Sequence, residues 1–279
     1  MKLSIYTKEL PGIKKNILLK NYTTFRIGGP AKYFFVAKTK KELIEAIKLA
    51  KKLNPSPFPK GDRVKLPFFI LGGGSNILVS DKGFNGLVIK FGQPLSSYVS
   101  KGLEWAVGIP GTVQGAVCGN AGAFKKSMKD AVESVEVFDT KTEKVKIFKN
   151  KDCKFGYRDS IFKKKKNLII FSVKIAPKKS ATKKIKQYLD YRKKTQPLNF
   201  PSAGSVFKNP AGKSAGELID NCGLKGKRVG NVKISEKHAN FIVNLGQGKA
   251  KDVMKLIKII KNRVKKKFGV TLEEEIQFL

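Results

Sequence analysis

The feature that most constrains the fold is a run of three glycines between two short apolar segments. Pro67-Phe-Phe-Ile-Leu71 reads as a buried strand, Gly72-Gly-Gly-Ser-Asn76 follows it directly, and Ile77-Leu-Val79 resumes extended structure. The order is therefore strand, loop, strand, whereas the dinucleotide-binding Rossmann turn leads from a strand through a glycine-rich loop into a helix. The sequence accordingly disfavours a Rossmann fold.

A second glycine-rich stretch lies between residues 108 and 122. It contains five glycines at positions 108, 111, 115, 119 and 122. Each glycine costs a helix about 1 kcal/mol relative to alanine, so the stretch does not read as an ordinary helix. Backbone N–H groups in either glycine-rich loop can converge on an anion, but a tight turn or a close-packed loop without a ligand explains the glycines almost as well.

Hydrophobic periodicity around these loops predicts an α+β protein. The predicted strands are 32–37, 86–90, 135–138, 145–148, 168–175, 241–245 and 270–279, and the predicted helices are 41–53, 214–221 and 250–268. A loop is expected at 54–63, and the lysine-rich segment 178–194 is a surface helix or a linker. From Pro197 onward the pattern indicates a separate α+β unit.

The charge balance first suggests nucleic-acid binding, because 58 Lys and Arg residues against 21 Asp and Glu give a formal charge of +37. The basic residues are spread along the whole chain, however, and only six of them are Arg. Base readout and bidentate phosphate binding favour Arg. A lysine-biased solvated surface is therefore the preferred interpretation, and its field would still attract small anions.

Other classes of protein are disfavoured by composition. Three cysteines without a Cys-x-x-Cys pair and a single histidine, His238, predict neither a metal site nor a disulfide framework. No apolar run approaches the roughly 18 residues of a membrane helix, and the amino terminus lacks the apolar core of a secretory signal. We therefore expect a cytoplasmic protein without a metal and without membrane insertion.

Three side chains are candidates for chemistry, each with an ordinary alternative. Arg158 is one of the few arginines, so its planar fork could be required where it stands, or it could simply pair with Asp159. Ser205 has small neighbours that could expose its hydroxyl, or it could serve a turn. Glu275 is either functional or a solvated carboxylate, and His238 is better explained as a packed or surface residue.

Taken in order, these segments resemble one family, the flavin-dependent UDP-N-acetylenolpyruvoylglucosamine reductases of bacterial cell-wall synthesis. The matching segments span residues 21 to 276: Asn21-Tyr-Thr-Thr-Phe-Arg-Ile-Gly-Gly-Pro-Ala31, Leu71-Gly-Gly-Gly-Ser-Asn-Ile-Leu78, Gly102-Leu-Glu-Trp-Ala-Val-Gly-Ile-Pro-Gly-Thr112, Asn120-Ala-Gly-Ala123, Tyr157-Arg-Asp-Ser160, Gln196-Pro-Leu198, Ala203-Gly-Ser-Val-Phe-Lys-Asn-Pro210 and Leu272-Glu-Glu-Glu-Ile276. The short distance between Arg158 and Ser205 resembles the subtype that lacks an extra tyrosine-bearing substrate loop.

The resemblance implies an FAD-binding module of the vanillyl-alcohol-oxidase/PCMH type followed by a carboxy-terminal α+β substrate-binding domain. The implied divisions are residues 1–80 and 81–190 for two FAD-binding subdomains and 191–279 for the substrate-binding domain. By position, the FAD contacts are Gly72, Gly73, Gly74, Ser75, Asn76, Ile109, Pro110, Gly111, Thr112, Asn120, Ala121 and Gly122. The catalytic positions are Arg158, Ser205 and Glu275, and the substrate contacts are Asn209, Lys208 and Tyr157.

The implied reaction has two halves: NADPH reduces FAD, and the reduced flavin then passes hydride to C3 of an enolpyruvyl UDP-sugar, with a proton added at C2. Arg158 would stabilise the developing charge, Ser205 would deliver the proton, and Glu275 would orient the carboxylate end. The implied partners are NADPH and the UDP-sugar, with no nucleic acid; the oligomeric state is open. A related flavin oxidase acting on another substrate, a flavoprotein without catalytic activity and a nucleic-acid-binding protein are the alternatives.

Two departures from the family pattern bear on flavin affinity. The segment from Phe91 to Gly102 is shorter than usual, and Gln114 stands where a glycine is typical. Neither departure touches the predicted catalytic positions. We therefore expect them to affect cofactor binding or local stability rather than the chemistry.

Overall fold

The computed structural model describes residues 9–52, 66–176 and 182–279. The predicted loop at 54–63 lies outside the described residues, and so does the first part of the predicted segment 178–194. The predicted strands all fall within the described ranges.

The first part of the fold is a mixed four-stranded sheet covered by one helix. Strands β1 (Lys14–Leu18), β2 (Pro30–Val36), β3 (Phe68–Leu71) and β5 (Phe84–Lys90) lie in the order β1-β2-β5-β3. Only the β1–β2 pair is antiparallel; β5 runs parallel to both of its neighbours. A two-residue strand, β4 (Ile77–Leu78), lies outside this sheet.

Helix α1 (Lys40–Lys52) forms because its apolar residues recur at helical spacing and its start is capped. The carboxylate of Glu42 accepts hydrogen bonds from the backbone N–H groups of Lys38 and Thr39. Buried side chains, Leu43, Ala46, Ile47, Leu49 and Ala50, pack toward the sheet. The predicted helix at 41–53 is thus confirmed within the described residues, one position earlier at its start.

The middle of the chain forms a second, antiparallel sheet in the order β10-β8-β9. Its strands are β8 (Val132–Asp139), β9 (Lys144–Lys149) and β10 (Leu168–Ile175), as the sequence pattern predicts. The short strands β6 (Gly122–Ala123) and β7 (Lys126–Ser127) form a small hairpin beside it. Short helices of the 3-10 type occupy Leu19–Tyr22, Leu95–Lys101, Glu104–Ala106, Met128–Asp130 and Asn150–Cys153.

The expectation that residues 108–122 contain no helix is wrong in one part. Helix α2 (Val113–Cys118) forms there because Thr112 caps it: the hydroxyl of Thr112 accepts the N–H of Gly115, 3.2 Å away. Only one of the five glycines, Gly115, lies inside the helix. The other four glycines lie outside the helix, so they do not destabilise it.

Gln114, one of the two departures from the family pattern, is buried and links two segments through its side chain. Its side-chain oxygen accepts the backbone N–H of Gln93, and its amide nitrogen donates to the carbonyl of Phe171, each at 3.0 Å. The shortened Phe91–Gly102 segment is thereby tied through one side chain to strand β10. Because both of its hydrogen-bonding groups are satisfied, Gln114 can be buried at low cost.

The carboxy-terminal part has its own antiparallel sheet, in the order β11-β14-β13-β12, with two helices. The strands are β11 (Ser202–Ser205), β12 (Arg228–Val229), β13 (Val232–Ile234) and β14 (Phe241–Asn244). Two helices precede it, α3 (Ile161–Lys164) and α4 (Thr182–Thr195); α5 (Ala215–Asn221) and α6 (Ala250–Phe268) then form its helical layer. The last of these has the bounds that its apolar stripe predicts, and Gly269 ends it in a left-handed conformation.

The final predicted strand, 270–279, is wrong in its length. Only β15 (Gln277–Phe278) is a strand, and it runs parallel to β4 of the amino-terminal part. Before it, Glu274 forms an isolated bridge with Phe207, and the N–H of Glu275 donates to the carbonyl of Val206. The segment therefore pairs first with Val206 and Phe207 and then with β4, so it does not form a single regular strand.

Sheet pairing argues against the predicted division at residue 80. Strand β5 follows that division but lies inside the first sheet, paired on both edges. Helix α4 likewise runs across the division predicted at residue 190. Since the strands of one sheet share their backbone hydrogen bonds, the topology favours a first unit that extends through Lys90.

Candidate functional site

The two predicted glycine-rich loops lie in direct backbone contact. A Cβ atom placed on Gly73 would fall 2.4 Å from the Cα of Gly111, and one placed on Gly72 would fall 2.6 Å from the hydroxyl oxygen of Thr112. Gly111 itself has a φ of +128°, which side chains rarely adopt, and a Cβ there would meet the Ser75 hydroxyl at 2.8 Å. Glycine is thus required at these places for the loops to meet.

The backbone donors of these loops have no partner in the described part of the chain. The N–H groups of Gly73, Gly74 and Ser75 on one loop, and of Gly111 and Thr112 on the other, donate no hydrogen bond to any described residue. Gly74 and Thr112 are buried. Buried backbone donors are nearly always paired, and converging N–H groups can hold an anion, so these two touching loops are a candidate site for an anionic ligand.

Asn76, predicted as a donor to the same ligand, also holds the carboxy-terminal segment. Its side-chain amide donates to the carbonyl of Glu275 at 3.1 Å, and its own carbonyl accepts the N–H of Gln277 at 3.0 Å. These hydrogen bonds therefore connect the first glycine-rich loop directly to the segment that carries Glu275. Ile109 and Pro110 lie at the entrance of the second loop, Ile109 against the middle core and Pro110 exposed.

Arg158 pairs with Glu275 and not with Asp159. Its Nε lies 2.7 Å from Oε1 of Glu275, although the N–H is not aligned on that oxygen, so the contact is an ion pair rather than a good hydrogen bond. Its NH1 donates to the carbonyl of Gly122 at 3.1 Å. The side chains of Arg158 and Glu275 are 23% and 17% exposed, so neither is simply a solvated surface group.

Asp159 has a different partner. It pairs with Lys164 at 2.6 Å, and this hydrogen bond lowers the pKa of the Asp159 carboxyl. The alternative explanation of Arg158 as the partner of Asp159 is therefore wrong.

Ser205 ends strand β11, one residue before a backbone contact of Glu275. The residue that follows it, Val206, accepts the backbone N–H of Glu275 through its carbonyl at 2.8 Å. Ser205 is partly exposed, whereas Val206 and Phe207 are buried in the carboxy-terminal core. The structure thus brings Arg158 and Glu275 into contact and places Ser205 next to the residue that holds the Glu275 backbone.

The predicted substrate contacts form an open depression next to this cluster. Tyr157, Asn209, Pro210 and the segment 212–214 line a space of about 510 Å³. The Tyr157 hydroxyl accepts the backbone N–H of Asn209 at 3.1 Å, and the Asn209 side chain accepts the N–H of Ala215. Lys208 is paired with Glu273 at the edge of the site.

The loop at 120–122 makes hydrogen bonds with Arg158 and with the backbone of Gly156. Asn120 donates to the carbonyl of Gly156 at 2.7 Å and accepts the N–H of Lys129, while Ala121 continues the backbone hydrogen bonds of the α2 end. Gly122 supplies the carbonyl that receives Arg158. These residues therefore hold the backbone around Arg158 in place, a role separate from their predicted contact with FAD.

Two lysines near the site were not among the predicted residues. Lys163 donates to the carbonyl of Arg158 at 2.9 Å, and Lys90 donates to the carbonyl of Gly72 at 3.2 Å. Burial lowers the pKa of both ammonium groups. In so lysine-rich a sequence, nothing local distinguishes these two lysines from solvated ones.

Other candidates lie away from the site. His238 packs against Phe241, as expected of a packed residue, and burial lowers its pKa. Within residues 9–52, 66–176 and 182–279, no three His, Cys, Asp or Glu side chains are grouped as metal ligands. No helix in these ranges is long and apolar enough to span a bilayer.

Comparisons with known proteins agree with this arrangement. A sequence profile of the UDP-N-acetylenolpyruvoylglucosamine reductase carboxy-terminal domain matches residues 196–279. The reductase of that name from Caldicellulosiruptor bescii is 42% identical, with the alignment covering the whole of this chain and 95% of that protein. The one from Chlamydia abortus is 37% identical and is covered over 98% of its length.

A solved structure gives the same result at the level of the fold. The UDP-N-acetylenolpyruvylglucosamine reductase (MurB) of Thermus caldophilus superposes with a TM-score of 0.78 and 35% identity, covering 95% of this chain and 99% of that one. The resemblance inferred from the motifs is therefore confirmed over essentially the full length of the sequence. This chain belongs to the UDP-N-acetylenolpyruvoylglucosamine reductase family.

Proposed function

We propose that this protein catalyses the FAD-dependent, NADPH-driven reduction of enolpyruvyl-UDP-N-acetylglucosamine to UDP-N-acetylmuramate, a step in the synthesis of peptidoglycan precursors. One observation carries the proposal: the Arg158–Glu275 ion pair is tied through Asn76 to the loop of unpaired backbone donors, and the Glu275 backbone is held by Val206, the neighbour of Ser205. An anion-binding cradle and a catalytic cluster are thus adjacent. We place the activity in the cytoplasm.

The two touching loops fit the diphosphate of FAD. They offer backbone donors from Gly73–Ser75 and Gly111–Thr112, and glycine leaves room for a phosphate to approach the chain. Ile109 and Pro110 would border the nucleotide, Lys90 would add positive charge, and Asn120 to Gly122 would form the side nearest Arg158. When bound, FAD would supply the hydride chemistry that no side chain can perform.

The cluster of charged residues fits a substrate that carries a carboxylate. Hydride addition at C3 of an enolpyruvyl group places negative charge at C2 and on the adjoining carboxylate, and the fixed Arg158 guanidinium can stabilise it. Ser205 would give its hydroxyl proton to C2. Glu275 would hold Arg158 in its orientation and polarise this end of the site.

The rest of the substrate would lie over the depression at Tyr157 and Asn209. The Tyr157 hydroxyl already accepts the N–H of Asn209, so the wall is formed before substrate arrives. Lys208, with only 19% of its side chain exposed, provides positive charge for an anionic group such as a diphosphate. These assignments, together with a PCMH-type module followed by a carboxy-terminal substrate-binding domain, complete the proposal.

A spectroscopic titration tests this function directly. Purified protein reconstituted with FAD should show a flavin absorbance band that bleaches on anaerobic addition of NADPH. Enolpyruvyl-UDP-N-acetylglucosamine should then restore the band without oxygen. Protein that does not take up FAD, or a band that only oxygen restores, would contradict the proposal.

Replacing Gly73 by valine should separate the two loops and weaken FAD binding. A Cβ at this position would lie 2.4 Å from the backbone of Gly111, which cannot move aside as a flexible side chain could. We expect a loss of about 1–3 kcal/mol in the free energy of unfolding, as for other overpacked sites, and a clear rise in the Kd for FAD. Fluorescence quenching of FAD on titration measures the second effect.

The matched control is Gly246→Val. Gly246, unlike Gly73, has a positive φ, but no atom lies within 4 Å of a Cβ placed there. It should lose stability through backbone strain while retaining the affinity for FAD. Equal loss of FAD affinity in both variants would contradict the loop assignment.

A further inference from the structure

Lys163 differs from the lysines that follow it. It belongs to a run of four at positions 163–166, all of which the structure describes; Lys164, Lys165 and Lys166 are exposed, whereas Lys163 is partly buried. Its place in helix α3 is fixed by Ser160, whose hydroxyl caps the helix and also donates to the carbonyl of Cys118 at 2.7 Å. This cap, two residues after Arg158, fixes the start of the helix.

Arg158 has a backbone conformation that requires support. Its φ of +54° lies in the left-handed region, which is uncommon for a residue with a side chain and costs on the order of 1 kcal/mol or more. The carbonyl of Arg158 accepts the ammonium of Lys163 at 2.9 Å, while its guanidinium reaches Gly122 and Glu275. Lys163 therefore holds the backbone from which the guanidinium extends.

The charges around Lys163 explain why this arrangement is specific. Burial is the main cause that lowers the pKa of the Lys163 ammonium, and Lys208 adds to the effect. Glu275, Asp159 and Cys118 act in the opposite direction on this pKa. A partly desolvated ammonium that donates to the Arg158 carbonyl is a specific contact rather than a solvated lysine.

We propose that Lys163 is a positioning residue for substrate reduction: it holds Arg158 in the left-handed conformation that directs the guanidinium to Glu275 and to the substrate carboxylate. The inference rests on the proposed function. It assigns Lys163 no contact with the substrate; its effect passes through Arg158.

The test uses stopped-flow spectra of the full-length, FAD-loaded protein. For Lys163→Met, reoxidation by enolpyruvyl-UDP-N-acetylglucosamine should slow by about 10- to 100-fold, the usual effect of a small misplacement of a catalytic group. Flavin reduction by NADPH serves as the reference for an intact cofactor site and should change much less. Lys163→Arg, which keeps a cationic donor, should recover part of the rate, and Lys164→Met, the exposed neighbour, should match the wild type in both halves.

A double-mutant cycle separates positioning from a direct charge effect. If Lys163 acts through Arg158, removing it from an Arg158→Met background should slow reoxidation little further. Additive losses, an unchanged rate in Lys163→Met, or equal slowing of both half-reactions would each overturn the inference. Should Lys163→Met not take up flavin, Lys163→Gln replaces it in the cycle.

Failure of the proposed function has a different signature. In that case the wild-type protein itself would not be reoxidised by the enolpyruvyl substrate, and both proposals would fall. If the wild type is reoxidised by the enolpyruvyl substrate and Lys163→Met is reoxidised at the same rate, only the inference about Lys163 is overturned.

Discussion

Replacing Ser205 by alanine should separate the two halves of the reaction. The first half, flavin reduction by NADPH, needs no proton at C2 of the substrate, so its rate should stay near that of the wild type. Reoxidation by enolpyruvyl-UDP-N-acetylglucosamine should fall by about 10²- to 10⁴-fold, the usual contribution of a positioned general acid. Stopped-flow measurement of the flavin absorbance follows each half separately.

The structure makes this substitution a clean one. Ser205 is partly exposed and donates no hydrogen bond to any described residue through its side chain, so alanine removes the hydroxyl without leaving a described partner unpaired. Ser205→Cys is the companion variant, since a thiol keeps a transferable proton at altered size and acidity. Partial recovery in the cysteine variant supports the acid role; unimpaired reoxidation in the alanine variant would show that the proton comes from elsewhere.

The second large effect is expected for Glu275→Gln. The amide keeps the shape but removes the charge that pairs with Arg158 at 2.7 Å, so the guanidinium loses its fixed orientation. We expect reoxidation to fall by about 10²- to 10⁴-fold, the range for loss of a preorganised electrostatic or acid–base contact. Folding should be little affected, because the backbone N–H and carbonyl of Glu275 keep their partners Val206 and Asn76.

Glu273 and Glu274 provide matched controls for this variant. They pair with Lys208 and Lys261, and neither contacts Arg158. Glu274→Gln should therefore leave reoxidation near the wild-type rate. A normal rate in Glu275→Gln together with a slow one in Glu274→Gln would move the catalytic role to the neighbouring carboxylate.

Much of the fold could be predicted because its signals are local. The apolar stripe of α6, the alternating strands of the middle sheet and the strand–loop–strand around Gly72 depend on neighbouring residues, and each prediction was close to the observed bounds. Helix α2 was missed because its cap, Thr112, overrides a glycine-rich composition. The length of the last strand was missed because its partners, Val206 and Ile77, lie far away in the sequence.

The site shows the same division between local and long-range information. Sequence motifs predict Arg158, Ser205 and Glu275 as site residues, and the structure pairs Arg158 with Glu275 and places Ser205 next to the residue that holds the Glu275 backbone. The motifs could not give the partner of each group: Arg158 pairs with Glu275 instead of the adjacent Asp159, and the Asn76 amide donates to the carbonyl of Glu275. Lys163 stayed hidden because its significance comes from burial and from the left-handed backbone of Arg158.

The pairing of β4 with β15 has a consequence for how the protein is made. Asn76 and Glu275, which lie 199 positions apart, must meet before the first glycine-rich loop is anchored on its carboxy-terminal side. During translation the loop therefore emerges from the ribosome long before its partner strand exists, and contacts between such distant segments form late in folding. Nascent chains arrested before residue 277 should thus be unable to retain the cofactor, however well their first sheet has already formed.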